Sequence, residues 1–217
     1  NNAGVNLTLS ADGGIPGLAA TNSGSNGTNT VTFRPNSANT TIGIGHTAST
    51  FDVSTSSLTG VHNDFAKVTV GKSDSGAITI GTNEAVDLSA KDWNLEVIGN
   101  SGLATATNDI TIKSDKALIL EIGSGTVTQG SGAAILGGGS LLASGGATYT
   151  LTEATNNVGT LSMDTTAAAA FQYTDADAFS VGTVDSINGI TTSAQNITLS
   201  SVGDNAAITV SQAISTG

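Results

Sequence analysis

The amino-acid sequence predicts an all-β chain wound as one continuous β-solenoid over residues 1–217. Three observations carry this: apolar and polar residues alternate over short stretches, turn-forming clusters separate those stretches evenly, and the second part of the chain echoes the first. Alternation with a period of two places every second side chain on one face, as a half-buried strand requires. Val5, Leu7 and Leu9 open the series, followed by Ile42 and Ile44, Val68 and Val70, Ile78 and Ile80, and Trp93, Leu95 and Val97. Ile110 and Ile112 come next, then Leu118, Leu120 and Ile122, Tyr149 and Leu151, and Leu161 and Met163. Phe171 and Tyr173, Phe179 and Val181, Ile197 and Leu199, and Ile208 and Val210 complete it. Thr, Ser, Val and Ile fill these stretches, in keeping with β propensity. No helix is expected, since the Ala167–Ala170 run is short, uncapped and followed at once by alternation.

Between these strands lie Asp12-Gly13-Gly14, Ser25-Asn26-Gly27, Ser73-Asp74-Ser75-Gly76, Gly137-Gly138-Gly139, Gly145-Gly146 and Asn188-Gly189. Strand centres about 8 to 12 residues apart fit a sandwich, a barrel or a solenoid alike. Repetition decides between them. Phe51, Val53, Leu58, Gly60, Val61, Val68, Val70, Ile78 and Ile80 align in order with Phe179, Val181, Ile187, Gly189, Ile190, Ile197, Leu199, Ile208 and Val210. Extended backward, Val31 and Phe33 meet Leu161 and Met163, and Ile42 and Ile44 meet Phe171 and Tyr173. Two internal copies, approximately 5–123 and 124–217, are therefore expected, the second cut short as in a piece of a longer array. Tandem copies favour a solenoid because each coil buries its inward residues only by stacking on its neighbours. With coils of roughly 22 residues rising about 4.8 Å each, the whole would be a rod on the order of 50 Å long. Asn and Thr at the turns are expected to stack as side-chain ladders. Tandem β-sandwiches are the alternative, but no Pro/Ser/Gly-rich linker divides the chain.

The phrases GTVTQGSGAAILGGGSLLASGGATYTLTEATNNVGTLSMD (125–164), FQYTDADAFSVGTVDSINGITTSAQNITLSS (171–201) and AAITVSQAIS (206–215) resemble the repeats of large bacterial exoproteins. These are the filamentous-haemagglutinin-like adhesins of two-partner or autotransporter export. The resemblance implies a right-handed parallel β-helix and a secreted or cell-surface location. The family's secretion-signal domain and C-terminal membrane barrel are not visible in the sequence.

Composition narrows the function. The chain holds 6 Lys+Arg against 17 Asp+Glu, a net charge of −11, with only 11% of residues charged and no cysteine. Disulfide scaffolds and thiolate metal sites are excluded. Every base (Arg34, Lys67, Lys72, Lys91, Lys113, Lys116) precedes residue 117. Nucleic-acid binding needs a basic stripe, and none is present; the same deficit opposes an electrostatic hold on anionic lipid. No apolar run reaches the roughly 18 residues that span a bilayer, and the opening NNAGVNLTLS has no signal-peptide pattern, as in a processed or excised segment.

No residue group compels a reaction. Asp175 and Asp177 at i and i+2 would share a strand face and could hold Ca²⁺ if carbonyls completed the shell, although a solvated turn explains them as well. Ser73-Asp74-Ser75-Gly76 with His46 and Asp64 spells a protease-like order, at a spacing too short for a double-barrel protease. His46 and His62, the two histidines, lack ligand partners at zinc spacing. The glycine clusters lack the Lys and following helix of a phosphate cradle. Trp93 is expected in the core rather than as an exposed sugar platform. The sequons at Asn6, Asn26, Asn39 and Asn196 are what Asn/Thr-rich text produces by chance, and no Thr-x-Thr row recurs strictly enough for an ice-binding face. No catalytic, metal or cofactor site is assigned, and no cofactor is expected. The expected function is structural and adhesive: a rod contacting glycans or partner-cell surface proteins. The alternatives are a filament subunit stacking end to end and a carbohydrate-active β-helix enzyme.

Overall fold

The computed structural model describes residues 6–15, 17–18, 28–165 and 169–216. Val5, the Ser25-Asn26-Gly27 turn, the Asn26 sequon and the first two residues of the Ala167–Ala170 run lie outside them. The described chain is a parallel β-solenoid of about 8 turns, so a rise of about 4.8 Å per turn makes it on the order of 40 Å long. A long sheet gathers Leu7–Ala11, Asn29–Pro35, Phe65–Gly71, Asn94–Gly99, Ala117–Ile122, Ser140–Gly145, Thr160–Asp164, Phe179–Val181 and Ile208–Val210 in chain order. A second holds Phe51–Val53, Ile42–Ile44, Ile78–Ile80, Leu103–Thr105, Thr126–Gln129, Thr148–Leu151, Phe171–Asp175 and Ile197–Ser201. Val86–Leu88, Ile110–Ile112 and Ile135–Leu136 form a short third wall.

Register makes the core a set of columns. Val31, Val68, Leu95, Leu118, Leu141, Leu161 and Val181 stand on one another in the long sheet, all fully buried. Ile42, Ile78, Leu103, Val127, Tyr149 and Phe171 do so in the second. Burying one such side chain contributes about 1.5–3 kcal/mol relative to leaving it exposed. Coil length varies: Thr160 meets Ser180, 20 residues on, whereas Thr69 meets Glu96, 27 residues on. Where strands begin, the coils are tied by side chain to backbone rather than by the expected ladders of like side chains. Asn and Asp carboxamide or carboxylate oxygens accept backbone amides from the neighbouring coil, as in Asn6 with Thr30 (2.9 Å), Asn94 with Ala117 (3.0 Å) and Asp109 with Ala134 (2.9 Å). Each such bond satisfies a backbone donor at the start of a strand, as at Thr30 and Ala117, or just before one, as at Ala134.

The two-copy alignment breaks in phase. Val31/Leu161 and Ile42/Phe171 do share sheets, but Phe51–Val53 lies in the second sheet and Phe179–Val181 in the long one. Val68 and Ile197 are likewise in opposite sheets, and Leu58 sits in a helical turn where Ile187 sits in a hairpin. The coil is what repeats. The phase slips because Phe51–Val53 is an extra strand, lying between Ile42–Ile44 and a bridge at Ile15. The helical turn Thr55–Thr59 follows, capped by the Ser54 side chain, which accepts the Ser57 amide; one turn is too short to leave a periodic apolar stripe.

A hairpin interrupts a strand of the long sheet. Phe179–Val181 and Ile190–Thr191 both pair with Thr160–Asp164, while Thr183–Val184 and Ile187–Asn188 leave the sheet as an antiparallel pair. The Gly189 amide donates to the Gly182 carbonyl (2.8 Å), closing its neck. Val184 and Ile187 fold onto Ala117, Ile119 and Leu142, making a second small apolar cluster on the outer face. Asp185 and Ser186 both have positive φ, 46° and 72°, the requirement of a type I′ turn, which Asn-Gly meets best. The double substitution D185N/S186G is expected to stabilise the hairpin by about 1 kcal/mol. Slower amide exchange at Ile187 and Gly189, whose N–H groups face across the hairpin, would register it.

Candidate functional site

Most sequence-singled residues are dispersed. Asp175 is fully buried and Asp177 exposed, so they share no face. Asp175 accepts from the Val158 amide (2.9 Å), the Asp177 amide (2.8 Å) and the Tyr173 hydroxyl. Ser75 is buried and accepts the Lys72 amide, Asp64 stands 3.1 Å from His62, and His46 lies beside Asp52; the protease-like order is not assembled. Among the described residues, no group of three or more His, Cys, Asp or Glu is gathered as a metal would need. Trp93 is 2% exposed, within the core. Thr126 and Thr128 do stand in register with Thr148 and Thr150, but the flanking coils put Ala104 and Gln172 beside Thr128 and Thr150. Gly137, with φ of +102°, sits in a turn.

An interior polar cluster replaces the third wall beyond Ile135–Leu136. The Asn156 carboxamide oxygen accepts the Ile135 amide (2.8 Å), as a neighbouring strand's carbonyl would, and the Gln129 side chain (2.7 Å). The Asn156 Nδ2 donates to the Gln129 carboxamide oxygen and the Thr174 carbonyl, both at 3.0 Å. Asp175 continues the cluster into the next coil. Nearby, the Tyr149 hydroxyl donates to the carbonyls of Leu120 (2.9 Å) and Ser144 (2.5 Å). Burial raises the pKa of both Tyr149 and Tyr173 far above the ordinary phenol value, with the Asp175 carboxylate adding to the effect at Tyr173. A raised folded-state pKa means that the unfolded chain loses these protons first. The stability they contribute is complete below about pH 10 and falls as pH rises beyond it, by about 1.4 kcal/mol per pH unit for each tyrosine. Urea midpoints measured above pH 10 should therefore drop steeply, and Tyr149→Phe should flatten that slope.

One cavity on the outer surface gathers polar side chains. It measures about 280 Å³ and is lined by Gly13, His46, Thr47, Asp52 and Ser54. Its wall exists because the winding departs from the coil after Ile42–Ile44: Gly45, at φ +59°, turns the chain out, and Phe51–Val53 returns parallel beside it. Asp52 thus stands opposite Gly43. A Cβ at Gly43 would fall 2.2 Å from Asp52 Oδ1, 2.8 Å from His46 Cβ and 2.9 Å from Ser49 Oγ. Only glycine leaves room for this group. The His46 and Asp52 side chains are 14% and 25% exposed. His46 Nδ1 accepts the Ala48 amide (2.9 Å), which places the proton of the neutral ring on Nε2. Asp52 Oδ1 accepts the Ser49 amide (3.2 Å). Ser49 Oγ and Asp52 Oδ1 both face Nδ1, at 3.3 and 3.5 Å, whereas a nucleophile relay needs serine and carboxylate on opposite ring nitrogens. The arrangement suits binding. Sequence reading singled out His46 but not Asp52; the clue was the Gly43-Ile44-Gly45 spacing before the histidine.

Compared with protein families, curated proteins and solved structures, the chain matches no family model, no curated protein and no solved structure. No helix among the described residues is long and apolar enough to cross a membrane.

Proposed function

We propose that the chain is a structural and adhesive segment of a secreted or surface-attached bacterial exoprotein, a rod that holds out contacts to glycans or partner-cell surface proteins. The observation that carries the reading is the unbroken parallel ladder from Leu7–Ala11 to Ile208–Val210 around one apolar core. Such a stack transmits tension through many small, repeated backbone bonds, and it depends on few charges. The resemblance of 125–164, 171–201 and 206–215 to adhesin repeats supports the location. Beads coated with the chain should be retained under flow on glycan- or glycoprotein-coated surfaces, beyond beads carrying an unrelated β-solenoid. Equal washing-off from every glycan and cell-surface protein tested would overturn the reading.

A further inference from the structure

We infer that the cavity between Gly13, His46 and Asp52 binds one neutral sugar ring through an adjacent pair of its hydroxyls. The inference rests on the glycan-contacting half of the reading above and names where that contact is made.

Two polar atoms of the cluster are unspent. The hydrogen bonds of His46 within the described residues all fall on Nδ1, and those of Asp52 all fall on Oδ1. Nε2–H therefore remains a donor and Oδ2 an acceptor. A vicinal diol answers both: one hydroxyl donates to Oδ2 while its neighbour accepts from Nε2–H. The hydroxyl-bearing Thr47 and Ser54 line the same cavity. Ligand charge is constrained as well. An anion would meet the Asp52 carboxylate with no Lys or Arg among the lining residues, and a simple ammonium would leave Nε2–H facing a cation. A divalent cation would find two candidate ligands where it needs at least three. At about 280 Å³ the cavity is at the small end of ligand pockets, sized for a ring rather than a chain.

The geometry is also prearranged. Ala48 and Ser49 amides fix the ring and the carboxylate from behind, and Gly14, at φ +87°, presses against the Asp52 backbone, where a Cβ would lie 2.5 Å from its N and O. Ordered first contacts reduce the entropy lost on binding. This is the one described coil with a doubled strand in the second sheet, and insertions in solenoids commonly supply their binding face.

The test is a titration of the intact chain with free neutral monosaccharides, comprising hexoses, a 6-deoxyhexose and N-acetylhexosamines, read by the His46 ring ¹⁵N resonances. A uronic acid, a simple alkylammonium salt and Ca²⁺ are run in parallel. The expected result is saturable shifting of Nε2 by at least one neutral sugar, with Kd in the mM range. Asp52→Asn should weaken it at least tenfold without lowering the melting temperature. Gly13→Leu should do the same by obstruction, since a Cβ there meets nothing within 4 Å. No shift with any neutral sugar, binding unchanged in both variants, or a response only to the uronic acid, the ammonium or Ca²⁺ would overturn the inference. Retention of beads under flow that survives both variants would sink the cavity while leaving the adhesive reading intact. Sugar binding without retention would do the reverse.

Discussion

Phe171→Ala is expected to destabilise the chain by about 3–5 kcal/mol, the cost of emptying a closed aromatic site. Phe171 is fully buried in the second sheet, stacked between Tyr149 and Ile197 in register. Its ring lies 6.2 Å from Tyr149 and 6.5 Å from Tyr173, whose ring in turn meets Phe179 edge-on at 5.3 Å. These are separations at which aromatic pairs add about 0.5–1.5 kcal/mol beyond area burial. A solenoid has only nearest-neighbour contacts to absorb the loss. The expected signature in urea is thus a split transition, with the coils beyond Phe171 melting before those preceding Tyr149. Phe171→Leu, which keeps most of the volume, should cost clearly less. A single transition shifted by under 1 kcal/mol would mean that the site is not closed.

Asp175→Ala should cost nearly as much by a different route. Its carboxylate is enclosed and accepts three donors, the amides of Val158 and Asp177 and the Tyr173 hydroxyl. Truncation strands two of them, Val158 N–H and Tyr173 O–H, in buried surroundings, at about 1–3 kcal/mol each. The double variant Y173F/D175A removes one stranded donor and should recover part of the loss, so the two effects should be non-additive. Additive losses in that cycle would show that the two side chains do not act together.

Much of the fold is legible in the sequence because stacking needs only a period of two and a turn. The alternations at Val68/Val70, Leu118/Leu120 and Phe171/Tyr173 are all inward columns of strands. What escaped reading lies where one rule was overlaid by another. The run Ala117-Leu118-Ile119-Leu120 is apolar on both faces, and its outward half is covered by a hairpin 60-odd residues later. Phe51–Val53 looks like one more rung but is a strand added within a coil, which shifts the later strand matches, Val68 with Ile197 and Ile78 with Ile208, to opposite sheets. Asp175 reads as a surface acid because its three donors come from the backbone and a tyrosine, none of which leaves a charge pattern. Asp52 was invisible as a partner of His46 for a related reason: the outward turn at Gly45 brings them together.

The central claim is that successive windings stack in parallel and in register. Because the chain has no native cysteine, engineered pairs on the outer face test it directly. Thr126 stands against Thr148 and Thr128 against Thr150. Oxidised, the pairs T126C/T148C and T128C/T150C should both close disulfides, while the diagonal T126C/T150C, about 8 Å apart across a parallel ladder, should stay reduced. Closure of T126C/T150C and T128C/T148C instead would mean antiparallel pairing, and with it the end of the solenoid.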